Sequence, residues 1–232
     1  MPRGKYKKKG SKGRGRATVA KRVAIPSMRV SSFSSFLPST KVVKLTYKQN
    51  LAMVSTSGII YKNQFAIGNL YDPDYTGAGH QPHGFDQLAA LYKQYVVMGA
   101  KMTVNFRNAA TNNIPHQVGS WLDRDLSIDE TTMTALAEAA PNKRNFSVLD
   151  ANSNSKAHTV CFYSLRKYNN LDSETTDHRY IGEFTGGPTL WDTINVAIQP
   201  IDSASTTAQY VYAEVTIDYI VRVLQPLQFT QS

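Results

Sequence analysis

The sequence predicts an all-β fold: an eight-stranded antiparallel jelly-roll β-sandwich, with one or two short helices in long loops, preceded by a disordered basic arm. Three observations lead there. Apolar residues alternate with polar ones at a period of two in segment after segment. Those segments are joined by long polar connections, not by helices of crossover length, which argues against a parallel α/β sheet. And residues 1 to 36 carry no structural period at all, only charge, glycine and a polar linker. The predicted organisation is an arm over 1–36 and a jelly-roll domain over 37–232.

The arm contains "PRGKYKKKGSKGRGR", and Gly4, Gly10, Gly13 and Gly15 leave its backbone free. "SSFSSFLPST" (31–40) is the linker that follows. Order begins near Lys41, where Val43, Leu45 and Tyr47 alternate with Lys44, Thr46 and Lys48. A shorter strand is expected over Gln64 to Leu70, then a loop, "YDPDYTGAGHQPHG", punctuated by Pro and Gly. In "FDQLAALYKQY" (85–95) apolar residues recur at spacings of three and four, which predicts a short helix. The period then drops to two. Val96, Met98, Ala100, Met102, Val104 and Phe106 are expected on one face of a strand, with Val97, Gly99, Lys101, Thr103, Asn105 and Arg107 on the other.

A strand is expected over 114–122. "SIDETTMTALAEAA" (127–140) reads either as a helix capped by Ser127 with Glu130 three residues on, or as an extended loop, since its threonines are poor helix formers. Further strands are expected near 143–149, 157–166 and 193–201. In the second, Ala157, Thr159, Cys161, Tyr163 and Leu165 share a face. Residues 168–189 read as a long polar connection. The last strand, "YVYAEVTIDYIVRVL", places Val211, Ala213, Val215, Ile217, Tyr219, Val221 and Val223 on one face.

Charge is divided unevenly. The chain of 232 residues is formally +9, with 26 Lys and Arg against 17 Asp and Glu. Its first acid is Asp72, so residues 1–71 hold 15 bases and no acid, and residues 72–232 hold 11 bases and 17 acids, a net −6. Eleven of the bases lie in the first 30 residues: Arg3, Lys5, Lys7, Lys8, Lys9, Lys12, Arg14, Arg16, Lys21, Arg22 and Arg29. Such asymmetry predicts a polyanion as the arm's partner. Cations on a flexible chain follow phosphates without fixed geometry and release condensed counterions. With no recognition helix or zinc finger for base-edge readout, the expected binding is salt-sensitive and sequence-tolerant. These eleven residues are the predicted nucleic-acid-binding set. The same K/R clusters also read as a nuclear-import signal.

Catalytic constellations are scarce, and the chain is not expected to be an enzyme. It has no HExxH, GxSxG, Walker loop or dinucleotide fingerprint. His80 and His83 stand three apart in a loop and are read as a loop pair, not a metal pair. The single cysteine, Cys161, is read as a small core hydrophobe, and with no second cysteine there is no intrachain disulfide. "DRDLSIDE" (123–130) reads as a solvated acidic loop, with calcium at a subunit contact as the alternative. No cofactor and no metal are expected. No apolar run approaches 18 residues, so no membrane span is expected, and no apolar region follows the first charges as in a secretory signal.

The segment "GHQPHGFDQLAALYKQYVVMGAKMTVNF" (79–106) resembles the corresponding part of the capsid proteins of circovirus-like viruses, which carry small circular single-stranded DNA. The likeness lies in the Gly79–Pro82 loop, the Gly84–Asp86 helix start, Tyr92 or Tyr95, and Gly99 with Lys101. Together with the arm it covers about a quarter of the chain. The arm here is shorter and richer in Lys and Gly than the long Arg-rich arms of circoviruses proper. The resemblance implies a jelly roll that assembles with itself into a closed shell of sixty copies, arms inside on the genome. It also implies a place in the virion, with the host nucleus during assembly, and nuclear import receptors and a host-cell attachment factor as further partners. Phosphate chemistry alone leaves DNA and RNA open as cargo; the resemblance favours DNA.

Overall fold

The computed structural model describes residues 37–56, 58–109, 114–123, 132–138, 145–152, 154–202 and 208–228. Nine strands lie among them: β1 (Thr40–Ser55), β2 (Tyr61–Ala66), β3 (Tyr92–Asn108), β4 (His116–Asp123), β5 (Asn145–Leu149), β6 (Lys156–Ser164), β7 (Ile181–Glu183), β8 (Thr193–Pro200) and β9 (Gln209–Pro226). Short helices are α1 (Phe85–Ala89), α2 (Met133–Glu138) and α3 (Leu165–Asn169), with a 3₁₀ turn at His178–Tyr180.

The strands form two sheets, one ordered β1-β9-β3-β6 with β7 also on β3, the other β2-β8-β4-β5. The pairing is nested. β1 pairs with β9, β2 with β8, β3 with β6 and β4 with β5, every pair antiparallel. A long hairpin folded over on itself gives this order, which is the jelly roll the sequence predicts. The core lies between the sheets. Val211 through Val223 at alternate positions of β9, Leu45 and Tyr47 of β1, and Met102, Val104 and Phe106 of β3 are all buried there.

Four expectations are corrected. The helix over 85–95 stops at Ala89, and Tyr92 already begins β3. Five residues are too few to sustain a helix by propensity, whereas Tyr92, Tyr95, Val96 and Val97 are strand formers that pair with β9 and β7. The alternation of β3 is broken by a bulge between Val97 and Gly99. One extra residue reverses parity. Tyr95 and Val97 therefore oppose Val223 and Val221 on the core side, Ala100 to Phe106 continue it, and Val96 and Met98 do not share that face. The second strand covers Tyr61–Ala66 and turns at Asn69, whose N–H donates to the Ala66 carbonyl. Within 168–189 stands a ninth strand, β7, three residues long. For 127–140, α2 is helical over 133–138; the Ser127–Glu130 cap lies outside the described residues.

The outer faces of the two sheets differ. Trp121, Met133, Leu136 and Ala197, with Ile60 and Phe146 against them, form a second small core on the outside of the β2-β8-β4-β5 sheet. β8 is consequently buried along its whole length. The outside of the β1-β9-β3-β6 sheet is covered at one end, where Val96 is buried and Glu174 pairs with Arg222; from Lys44 to Tyr212 no second core of this kind lies on it among the described residues.

Candidate nucleic-acid interface

The eleven predicted arm bases, Arg3 to Arg29, lie outside the described residues, as does most of the 123–130 acidic run. What the structure does place is the point of entry. Leu37 packs against the core and Thr40 opens β1, an edge strand of the bare sheet.

Register builds the outer face of that sheet in rows. Ala52, Tyr212, Arg107 and Lys156 lie side by side, then Asn50, Glu214, Asn105 and His158, then Lys48, Thr216, Thr103 and Val160. Further along come Thr46, Asp218, Lys101 and Phe162, then Lys44, Ile220, Gly99 and Ser164. Val42 and Arg222 follow. Six bases and three acids, Glu183 of β7 among them, stand on the strands of this face. Asp218 is engaged by the Thr46 hydroxyl at 2.7 Å and by Lys44 at 3.3 Å, and these partners hold its carboxyl below the usual range. Arg222 pairs with Glu174 at 3.3 Å. Lys48, Arg107 and Lys156 have no ion-pair partner among the described residues. The aromatic side chains Phe162 and Tyr212 are 70% and 52% exposed. In the sequence, Lys44, Lys48, Lys101 and Arg107 stand only on the polar sides of separate strands. Strand order gathers them into one surface, and no local pattern signals that.

The other sequence candidates are structural. The two ring nitrogens of His80 face the Gln81 and Lys48 carbonyls at 2.8 and 2.9 Å, and its ring lies 4.7 Å from that of Tyr47. That leaves His80 no lone pair aimed at a metal. His83 is exposed. Beside this loop the buried Asp74 accepts from Gln49 Nε2 at 2.6 Å and from the Thr76 N–H and hydroxyl. Burial and the Asp74 charge push the Tyr47 phenol up to about 12. A Cβ on Gly79 would stand 2.7 Å from both Asp74 Cβ and the Tyr47 oxygen. The Gly79–Pro82 loop is therefore pinned onto β1. Cys161 is buried, with Sγ 3.3 Å from Ser120 Oγ, and burial pushes its thiol up. Such a thiol is a poor nucleophile at neutral pH. No three His, Cys, Asp or Glu side chains converge on a metal-sized site, and no helix is long and apolar enough to cross a membrane, among the described residues.

His116 is fully buried with Nε2 3.2 Å from Ser55 Oγ, and burial lowers its pKa. The unfolded chain then binds the proton more readily, so stability from this group is full above about pH 6.5 and is lost as pH falls through the depressed folded value. Thermal melts from pH 7.5 to 5 should show a steeper loss for the wild type than for His116→Gln; parallel curves would contradict this assignment.

No family model and no curated protein sequence matches the chain. Solved structures similar to it include a semi-empty virus-like particle of Macrobrachium rosenbergii nodavirus, at 12% identity and TM-score 0.47, covering 85% of this chain and 100% of that one. Desmodium yellow mottle tymovirus is similar at 16% identity and TM-score 0.45, over 85% of this chain and 98% of that one. A 60-mer of BFDV capsid protein is similar at 15% identity and TM-score 0.44, over 84% and 100%. None is alike enough to say what this chain does.

Proposed function

We propose that the chain is a capsid protein that assembles with itself into a closed shell and packages single-stranded nucleic acid through residues 1–36. One observation carries this: the segregation of charge. Residues 1–36 hold 11 bases and no acid, while residues 37–232 hold 15 bases and 17 acids, a net −2. A body near neutrality packs against copies of itself, and the arm holds the polyanion. Thirty-six residues behaving as a coil would span on the order of 30 Å, enough to reach inward from a shell wall. Exposed Ile59, Tyr71, Tyr75, Val148 and Ile201 stand off the bare face and suit contacts between copies.

The finer reading follows the resemblance of residues 79–106: sixty copies, a circular DNA genome, and arms that double as import signals in a host nucleus. Sixty arms would bring roughly 660 positive charges into the shell, matched to a kilobase-scale strand. Because phosphate contacts serve both polymers, single-stranded RNA is the alternative cargo. A non-viral structural protein with a basic, nucleic-acid-binding tail is the competing class. Electron microscopy of purified protein separates the classes: closed particles are expected, and monomers at every salt concentration would overturn the proposal.

A further inference from the structure

We infer that the bare outer face of the β1-β9-β3-β6 sheet is a second contact for single-stranded nucleic acid, with Phe162 and Tyr212 stacking on bases while Lys101, Arg107 and Lys156 hold phosphates. The identity of the polymer rests on the packaging reading; the location of the contact rests on the geometry of the face.

The first argument is charge. Of the 15 bases in residues 37–232, six stand on this face; of the 17 acids, Glu183, Glu214 and Asp218 stand on its strands, and Glu174 reaches it to pair with Arg222. Asp218 is already engaged by Lys44 and Thr46. A body that is slightly acidic as a whole thus keeps one cationic side. The second is the placement of the aromatics. Phe162 is 70% exposed in mid-strand and is directly opposite Lys101, whose Nζ lies 5.8 Å from the ring centroid. Tyr212 is directly opposite Arg107, which is in turn opposite Lys156. Each aromatic ring therefore has a cation as its cross-strand neighbour, the combination that binds a base and its phosphate together.

The third argument is span. Six residues along the strand and two strands across separate the Phe162 and Tyr212 rows, about 22 Å at ordinary strand spacings. That suits an extended polymer better than one small ligand. Shallow clefts mark both ends. One of about 530 Å³ includes Asn105, Arg107 and Tyr212, and one of about 640 Å³ includes Gly99, Ser164, Arg166 and Lys167. A second copy of the chain is the weaker occupant, because lysine is depleted in the cores of protein interfaces and this face carries four. Nor does the fold itself require exposure there, since the opposite sheet covers its outer face with a small core of its own.

The test uses the full chain and oligothymidylate. Ultraviolet crosslinking with peptide mapping should place adducts on β6 and β9 peptides as well as on the arm. The double variant Phe162→Leu/Tyr212→Leu should weaken binding at least tenfold, since each stacked base contributes about five- to a hundredfold. The triple variant Lys101→Gln/Arg107→Gln/Lys156→Gln should make the log–log salt slope about 2 shallower, at roughly 0.7 per phosphate. All five positions are on the exposed side of their strands, so the variants should melt as the wild type does. Adducts confined to the arm, with affinities within twofold of wild type, would overturn the face and leave the arm standing. Absence of adducts from both would overturn the packaging reading as well.

Discussion

A chain lacking residues 1–36 should fold and assemble as the full chain does but form particles empty of nucleic acid. The expected size of the effect follows from counterion release. If all 11 arm bases engage single strands, the log–log dependence of affinity on salt has a slope of about −8, at roughly −0.7 per phosphate. Affinity of the full chain should then fall by about 10⁴ to 10⁵ between 50 and 200 mM salt. The deletion variant should lose most of that slope and retain only the shallow dependence of the sheet face. The fold should survive because β1 begins at Thr40 and its pairing with β9 starts there. Filter binding across a salt series measures the slope, and the absorbance ratio of purified particles measures their content. A deletion variant that fills its particles as the wild type does would remove the arm from the mechanism.

Tyr95→Ala should cost about 3–5 kcal/mol of stability, the range for emptying a buried aromatic site. Tyr95 is fully buried where several elements meet. Its ring packs against Phe85 of α1 and against Phe184 just past β7, at 6.0 and 5.2 Å between centroids. Its hydroxyl accepts the Leu70 N–H at 3.1 Å, and burial pushes the phenol well above its ordinary value. The same ring lies over Gly182, its partner in the β3–β7 pairing, so closely that a Cβ there would stand 2.6 Å from the ring carbon bearing the hydroxyl. Gly182→Ala alone should therefore be destabilising by overpacking, at about 1–3 kcal/mol. In the Tyr95→Ala background the same change should cost much less, because the ring it would strike is gone. Urea denaturation of the four proteins gives the coupling energy. Additive losses would mean that Gly182 is required for its backbone alone.

The surroundings of Tyr95 show which features the residues reveal locally and which only the fold supplies. The inward faces of β9 and of the first half of β1 are legible, because a long strict alternation fits a strand buried on one side and fits no helix. So is the burial of Cys161 with its neighbours on β6. Tyr95 itself reads as helical, since its spacing from Leu88, Leu91 and Tyr92 fits a period of 3.6 as well as a strand. The bulge at Val97 and Gly99 is invisible in the residues themselves; it is set by pairing with β9, and Gly99 lets the backbone of β6 come within 3.0 Å of where a Cβ would stand. β7 is three residues with a glycine in the middle, too short to show any period. The arm announces itself by composition. The cationic face does not, because its bases come from β1, β3, β6 and β9, and only the order of strands puts them together.

The phosphate content of nuclease-treated particles tests most directly whether this chain is a shell that carries nucleic acid on its basic residues. The preparation is digested, the particles are isolated by sedimentation, and phosphate per subunit is measured in what remains. Arm and face together predict protected nucleic acid at about ten or more phosphates per subunit, enough to balance the 11 arm bases. Its sensitivity to deoxyribonuclease or ribonuclease after the shell is opened then identifies the cargo. Particles with no protected phosphate, or protein that sediments only as a monomer, would contradict the packaging role.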